Sequence, residues 1–129
     1  MTYNFSHEKL EVYKLELAFI KWVTPLIAES KKKSNTLTRE VCDHLDRASL
    51  SALFNTAEGN GKREMPVRAR FFDDARGSTA ECASCLDALV AKESFREERI
   101  NDGKALLIRI YNILSKLVEK YNLKVKKPR

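Results

Sequence analysis

Glycine and proline are scarce in this chain, four and three residues of 129. So few breakers exclude collagen-like, linker-like and turn-rich all-β architectures and leave room for long helices. Long apolar runs are missing too, and no basic start is followed by an apolar segment and a cleavage site. No membrane span and no export signal are therefore expected. Only two histidines occur, His7 and His44, too few to nominate a Ser-His-Asp arrangement. Three cysteines are an odd number that cannot close a disulfide set, which fits a reducing cytoplasm. What is present is 43% hydrophobic and 33% charged residues, the composition of one globular domain rather than of a disordered chain.

The formal net charge is +6, and its placement says more than its size. Lys31, Lys32 and Lys33 are consecutive, Lys124, Lys126, Lys127 and Arg129 crowd the end, and the remainder is close to neutral. Basic character thus sits at a chain break and in a tail, where it can meet a polyanion without disturbing a core.

Hydrophobic periodicity predicts helices over about 8–28, 38–58, 66–92 and 95–122, followed by a basic tail 123–129. In the first, Leu10, Tyr13, Leu17, Ile20 and Ile27 share a face that Phe19, Val23 and Leu26 widen. Pro25 lies inside that pattern and is expected to kink the helix. Glu29 to Leu37 reads as a polar loop, and Thr38 as the cap of the second helix. Val41, Leu45, Ala48, Ala52 and Asn55 form the second stripe, and Phe71, Ala75, Ser78, Cys82, Cys85 and Leu89 the third. Small residues in the middle of both predict a closely packed antiparallel pair. Gly59 and Gly61 should end the second helix with positive backbone angles, and Pro66 opens the third at its first turn. Ser94 with Glu97 reads as a capping box for the fourth, whose stripe of Ile100, Gly103, Leu107, Ile110, Leu114, Leu117 and Tyr121 is the most regular in the chain. Short connections favour an all-α, up-down-up-down four-helix bundle. That topology places the turn near residue 60 and the end of the fourth helix together.

The segment Asp46 to Lys62, with its Arg47-Ala48 pair and Asn55-Thr56-Ala57-Glu58-Gly59-Asn60-Gly61 run, resembles the small bundle proteins encoded within 23S ribosomal RNA intervening sequences. Arg70 to Ser78, with Ala75-Arg76-Gly77-Ser78, then Glu81-Cys82 and Leu86-Asp87-Ala88-Leu89, match the third-helix pattern of the same family. The resemblance implies a four-helix bundle commonly assembled as a ring-shaped homopentamer. The chain is also similar to the accessory variability determinant proteins of diversity-generating retroelements, which implies nucleic-acid binding and contact with a reverse transcriptase. It departs from the pattern at Ser49, which follows Arg47-Ala48, and at Leu53-Phe54, where relatives often carry isoleucine-proline.

Four polar residues on the central helices, Asn55, Glu58, Arg76 and Glu81, read first as a structural network: arginine offers five donors that the two carboxylates and the amide can accept, within one chain or across a subunit boundary. A catalytic carboxylate pair is disfavoured, because a neighbouring arginine lowers a carboxyl pKa instead of raising it. Cys82-Ala83-Ser84-Cys85 lies mid-helix on the core stripe, which suits buried hydrophobes better than a redox pair. Cys42 and His44 point in different directions on a helix, so no metal site is expected. Gly59-Asn60-Gly61-Lys62 lacks the preceding strand and spacing of a phosphate loop. No enzyme and no cofactor are expected. The basic residues Lys62, Arg63, Arg68, Arg70, Lys124, Lys126, Lys127 and Arg129 are the candidate nucleic-acid contacts, through backbone phosphates of RNA or DNA rather than base edges. Trp22 is expected at the interior or at an interface. The expected function is that of a cytoplasmic, non-enzymatic, oligomeric nucleic-acid-binding protein, with a scaffold or protein-interaction ring as the alternative.

Overall fold

The computed structural model describes residues 5–33 and 36–125, with side chains over 5–33 and 37–122. After a single 3-10 turn, Ser6–Lys9, come helices α1 (Glu11–Lys32), α2 (Thr36–Gly61), α3 (Met65–Ala91) and α4 (Glu97–Val125), with no strand among the described residues. Contacts between successive helices run in opposite senses along each pair. Glu16 meets Thr56 and Ser30 meets Thr38 between α1 and α2. His44 meets Glu81 and Ser51 meets Ser78 between α2 and α3. Asp87 meets Lys104 and Arg76 meets Ser115 between α3 and α4. Each helix lies beside its two neighbours, whereas among the described residues the backbones of α1 and α3 do not come close to each other. The result is a four-cornered antiparallel bundle with α1 and α3 on one diagonal.

Its core is made by the stripes of all four helices. Phe19, Leu45, Phe72, Leu86, Leu89 and Leu114 are almost wholly buried, and full burial of such side chains contributes about 1.5–3 kcal/mol each before chain entropy is counted. On α4 the regular spacing matches burial at Ile100, Gly103, Leu107, Ile110, Leu114 and Tyr121. On α1 the buried stripe is rotated from the one the apolar pattern predicts. Val12, Glu16, Phe19, Val23 and Leu26 point inward, Leu17 is exposed, and Tyr13 and Ile20 are half-buried. A glutamate at the centre of the stripe conceals it from an apolar count.

Several helix ends differ from their sequence expectations. The helix α1 passes through Pro25 and ends only at Lys32, so most of the lysine run belongs to a helix instead of a loop. Pro25 and Lys21 are both solvent-exposed, and the carbonyl left without a helical donor can be hydrated there. Thr38 is not a cap; it is buried inside α2 with its hydroxyl 3.2 Å from that of Ser30. Gly59 and Gly61 lie within α2, and neither has a positive φ. Gly59 serves close packing instead: a Cβ there would stand 3.0 Å from the Phe71 Cβ and 3.2 Å from the Phe72 ring. Ser94 does not cap α4, which begins at Glu97. Its N–H donates to Leu89 O at 2.9 Å, the Glu93 N–H donates to Val90 O at 2.9 Å, and Glu93 takes a φ of 61°. Those bonds form a Schellman closure of α3 with glutamate at the position that usually takes glycine.

Candidate functional site

Charge collects where α2 turns into α3, and one arginine organises that end. Arg68, on the first turn of α3, sends Nη1 to the carbonyls of Asn60 and Lys62, both at 2.9 Å, and Nη2 to the Tyr121 hydroxyl at 3.2 Å. Its guanidinium also lies over the Tyr121 ring, 4.7 Å from the centroid. The partly buried arginine therefore binds the α2–α3 turn to the last turns of α4, and its donors face the protein. Among the candidate nucleic-acid contacts it is a structural clamp.

Lys62 bridges to Glu58 at 3.4 Å and leans on Phe71, while Arg63 and Arg70 are exposed. Lys120 is exposed one residue before Tyr121, so it borders the same end. Lys124 belongs to the final turn of α4, with its side chain outside the described residues; Lys126, Lys127 and Arg129 lie outside them altogether. At the opposite end, Lys33 Nζ donates to Ser94 O at 2.7 Å and sits 4.2 Å from the Phe95 ring centroid, which ties α1 to the α3–α4 loop.

The four polar residues of the central hairpin go to separate partners. Arg76 Nη2 bonds Asp73 at 2.6 Å, its Nη1 reaches Ser115 at 3.3 Å, and the guanidinium lies over Tyr111. Glu81 accepts from His44 at 3.0 Å, and Glu58 pairs with Lys62. Asn55 donates to the carbonyl and hydroxyl of Ser51, which in turn meets Ser78 at 2.9 Å. Within the chain the expected arginine–carboxylate network does not close. Asn55, Arg76 and Glu81 instead line one shallow open groove of about 680 Å³ with Ser51, Gly77 and Tyr111. Ser51 and Tyr111 escape sequence reasoning because hydroxyls at helical spacing read as ordinary surface, while Ser78, expected as a small packing residue, also meets Ser51 through its hydroxyl.

Two sets of buried titratable groups stand apart from these surfaces. Burial pushes the Glu16 carboxyl up to about 8, against a hydrogen bond from Thr56 that lowers it. Oε1 of Glu16 is buried without a partner among the described residues. Cys42, Cys82 and Cys85 are all buried and free. Burial raises the Cys82 thiol to about 12 and the Cys85 thiol to about 11, with nearby Glu81 adding to both. Such thiols stay protonated at neutral pH and behave as small apolar groups. Among the described residues no helix is long and apolar enough to cross a membrane.

Comparison with protein families finds a match over residues 8–116 to the model described as 23S rRNA-intervening sequence protein. Comparison with curated proteins finds no match.

Proposed function

The chain belongs to the 23S rRNA-intervening sequence protein family, and from that premise we propose that it is a non-enzymatic, self-assembling bundle that binds RNA or DNA at its Arg68-clamped end. The observation that carries this reading is the clamp itself. By tying the turn to α4, Arg68 holds the exposed Arg63 and Arg70 at the end where α4 delivers Lys120 and its last turn. Clustered flexible cations of this kind suit phosphate contacts, whose contributions add and make affinity strongly salt-dependent. Assembly as a homopentameric ring would repeat the cluster around one axis and multiply weak contacts. A reverse transcriptase as a protein partner is part of this proposal and rests on the sequence resemblance alone.

The test is fluorescence anisotropy of a labelled structured RNA and a matched DNA duplex, titrated with protein from about 50 to 200 mM salt. Binding that persists at the higher salt, with a salt slope about one unit shallower for each of Arg63→Ala and Arg70→Ala, supports the reading. Absence of binding, or unaltered slopes in both variants, overturns it. A second reading, a protein-interaction scaffold, is favoured by the exposed Phe54 and Ile108, 58% and 59% accessible. Capture of one defined protein by a chain with no nucleic-acid affinity would select that reading.

A further inference from the structure

The outward stripes of α1 and α3 carry the same pattern in opposite charge. On α1, the exposed Leu17 follows Lys14 by three residues and precedes Lys21 by four. On α3, the exposed Gly77 follows Asp74 by three and precedes Glu81 by four. Both central residues therefore have a charged residue one helical turn away on each side, basic around the leucine and acidic around the glycine. Lys14, Lys21 and Asp74 make no ion pair among the described residues, and Glu81 stays 48% exposed while bonded to His44.

Gly77 has no explanation inside the chain. It sits in the middle of α3, its φ is not positive, and a Cβ built on it meets nothing within 4 Å. Alanine there would favour the helix by about 1 kcal/mol. Its missing side chain leaves a notch beside the exposed Ala80 and Ser84, of the kind that lets another helix approach closely. Leu17, at 44% exposure, is a large apolar side chain without a complete seat of its own.

We infer that α1 of one copy docks along α3 of a second copy, with Leu17 seated over Gly77 and Lys14 and Lys21 paired with Asp74 and Glu81. A second copy is the occupant because the two stripes complement each other in charge, in spacing and in relief, and both belong to this chain. A nucleic acid would be repelled by the acidic stripe. Because α1 and α3 occupy diagonal corners, the two stripes face away from each other and the contact is heterologous, repeating head to tail into a ring or filament. This inference rests on the self-assembly proposed above and names the surfaces that meet.

Sedimentation velocity over roughly 1 to 100 µM protein tests it. The parent should assemble. The Lys14→Glu, Lys21→Glu double variant and the Asp74→Lys, Glu81→Lys double variant should each dissociate at concentrations about tenfold higher or more, because like charges then face each other. A chain carrying all four reversals should reassemble, while Gly77→Leu should not assemble. Thermal melts guard against misfolding, and all five positions are exposed. If both double variants assemble like the parent, these surfaces are wrong while self-assembly stands. If the parent sediments as a monomer throughout, the assembly reading itself fails and this inference with it.

Discussion

Thr56 Oγ1 donates a 2.6 Å hydrogen bond to Glu16 Oε2 in the seam between α1 and α2, where both residues are shut off from solvent. A buried carboxyl held by one hydroxyl keeps its proton, which makes this seam the place where pH acts on the fold.

Glu16 should make stability fall as pH rises. Its folded value of about 8 lies above the ordinary 4.5, so between those values the folded chain holds a proton that the unfolded chain has released. The contribution is complete below the unfolded value and is lost as pH climbs through the folded one, at up to about 1.4 kcal/mol per pH unit. Urea denaturation from about pH 5 to pH 8 should show this slope in the parent and a flatter one in Glu16→Gln, which mimics the protonated acid. Parallel slopes would show that Glu16 is not the responsible group.

Glu93 holds the left-handed position that closes α3, a conformation that costs a side-chain-bearing residue roughly 1 kcal/mol. Glu93→Gly should therefore raise stability by about that amount, read as a higher urea midpoint with an unchanged m-value. Glu93→Ala should bring no such gain, since it retains the Cβ.

Three helical glycines should respond differently to alanine. Gly59→Ala forces a Cβ against Phe71 and Phe72, and Gly103→Ala drives one into the indole of Trp22; overpacking of this kind costs about 1–3 kcal/mol. Gly77→Ala meets open space within the chain and should raise the stability of the isolated protomer by up to about 1 kcal/mol. Thermal melts of the three variants at low protein concentration make the comparison.

Arg68 and its basic neighbours should separate by assay. Arg68→Ala removes bonds from the turn and from Tyr121 and should cost about 1.5–3 kcal/mol of stability. Arg63→Ala, at an exposed position, should stay within about 0.5 kcal/mol of the parent. Comparable melting losses in the two would contradict the clamp.

The four helices and their order are legible in the sequence because each helix is long and turn residues are few. The α4 stripe reads most clearly, since apolar residues hold nearly every core position from Ile100 to Tyr121. The α1 stripe misleads where Glu16 interrupts it, because burial of an acid depends on a hydroxyl forty residues away. Helix ends mislead for a related reason. Gly59 and Ser94 look like punctuation, yet Gly59 answers to aromatic rings on α3 and the Ser94 amide to a carbonyl in the preceding helix. The segregation of charge at the α2–α3 turn is legible as well. Which arginine faces inward is not, because the acceptors of Arg68 are main-chain carbonyls that any residue type would present.

Both ends of the bundle are fastened by a cation resting on peptide oxygens, Lys33 on Ser94 and Arg68 on Asn60 and Lys62. Peptide oxygens do not titrate across the range in which carboxylates take up protons. The Lys104–Asp87 pair on the surface depends on a carboxylate, whereas these two fastenings rest on oxygens that every residue carries. The two ends of the bundle are thus closed without any acidic side chain, so their closure is indifferent to which acids the surface of the helices carries.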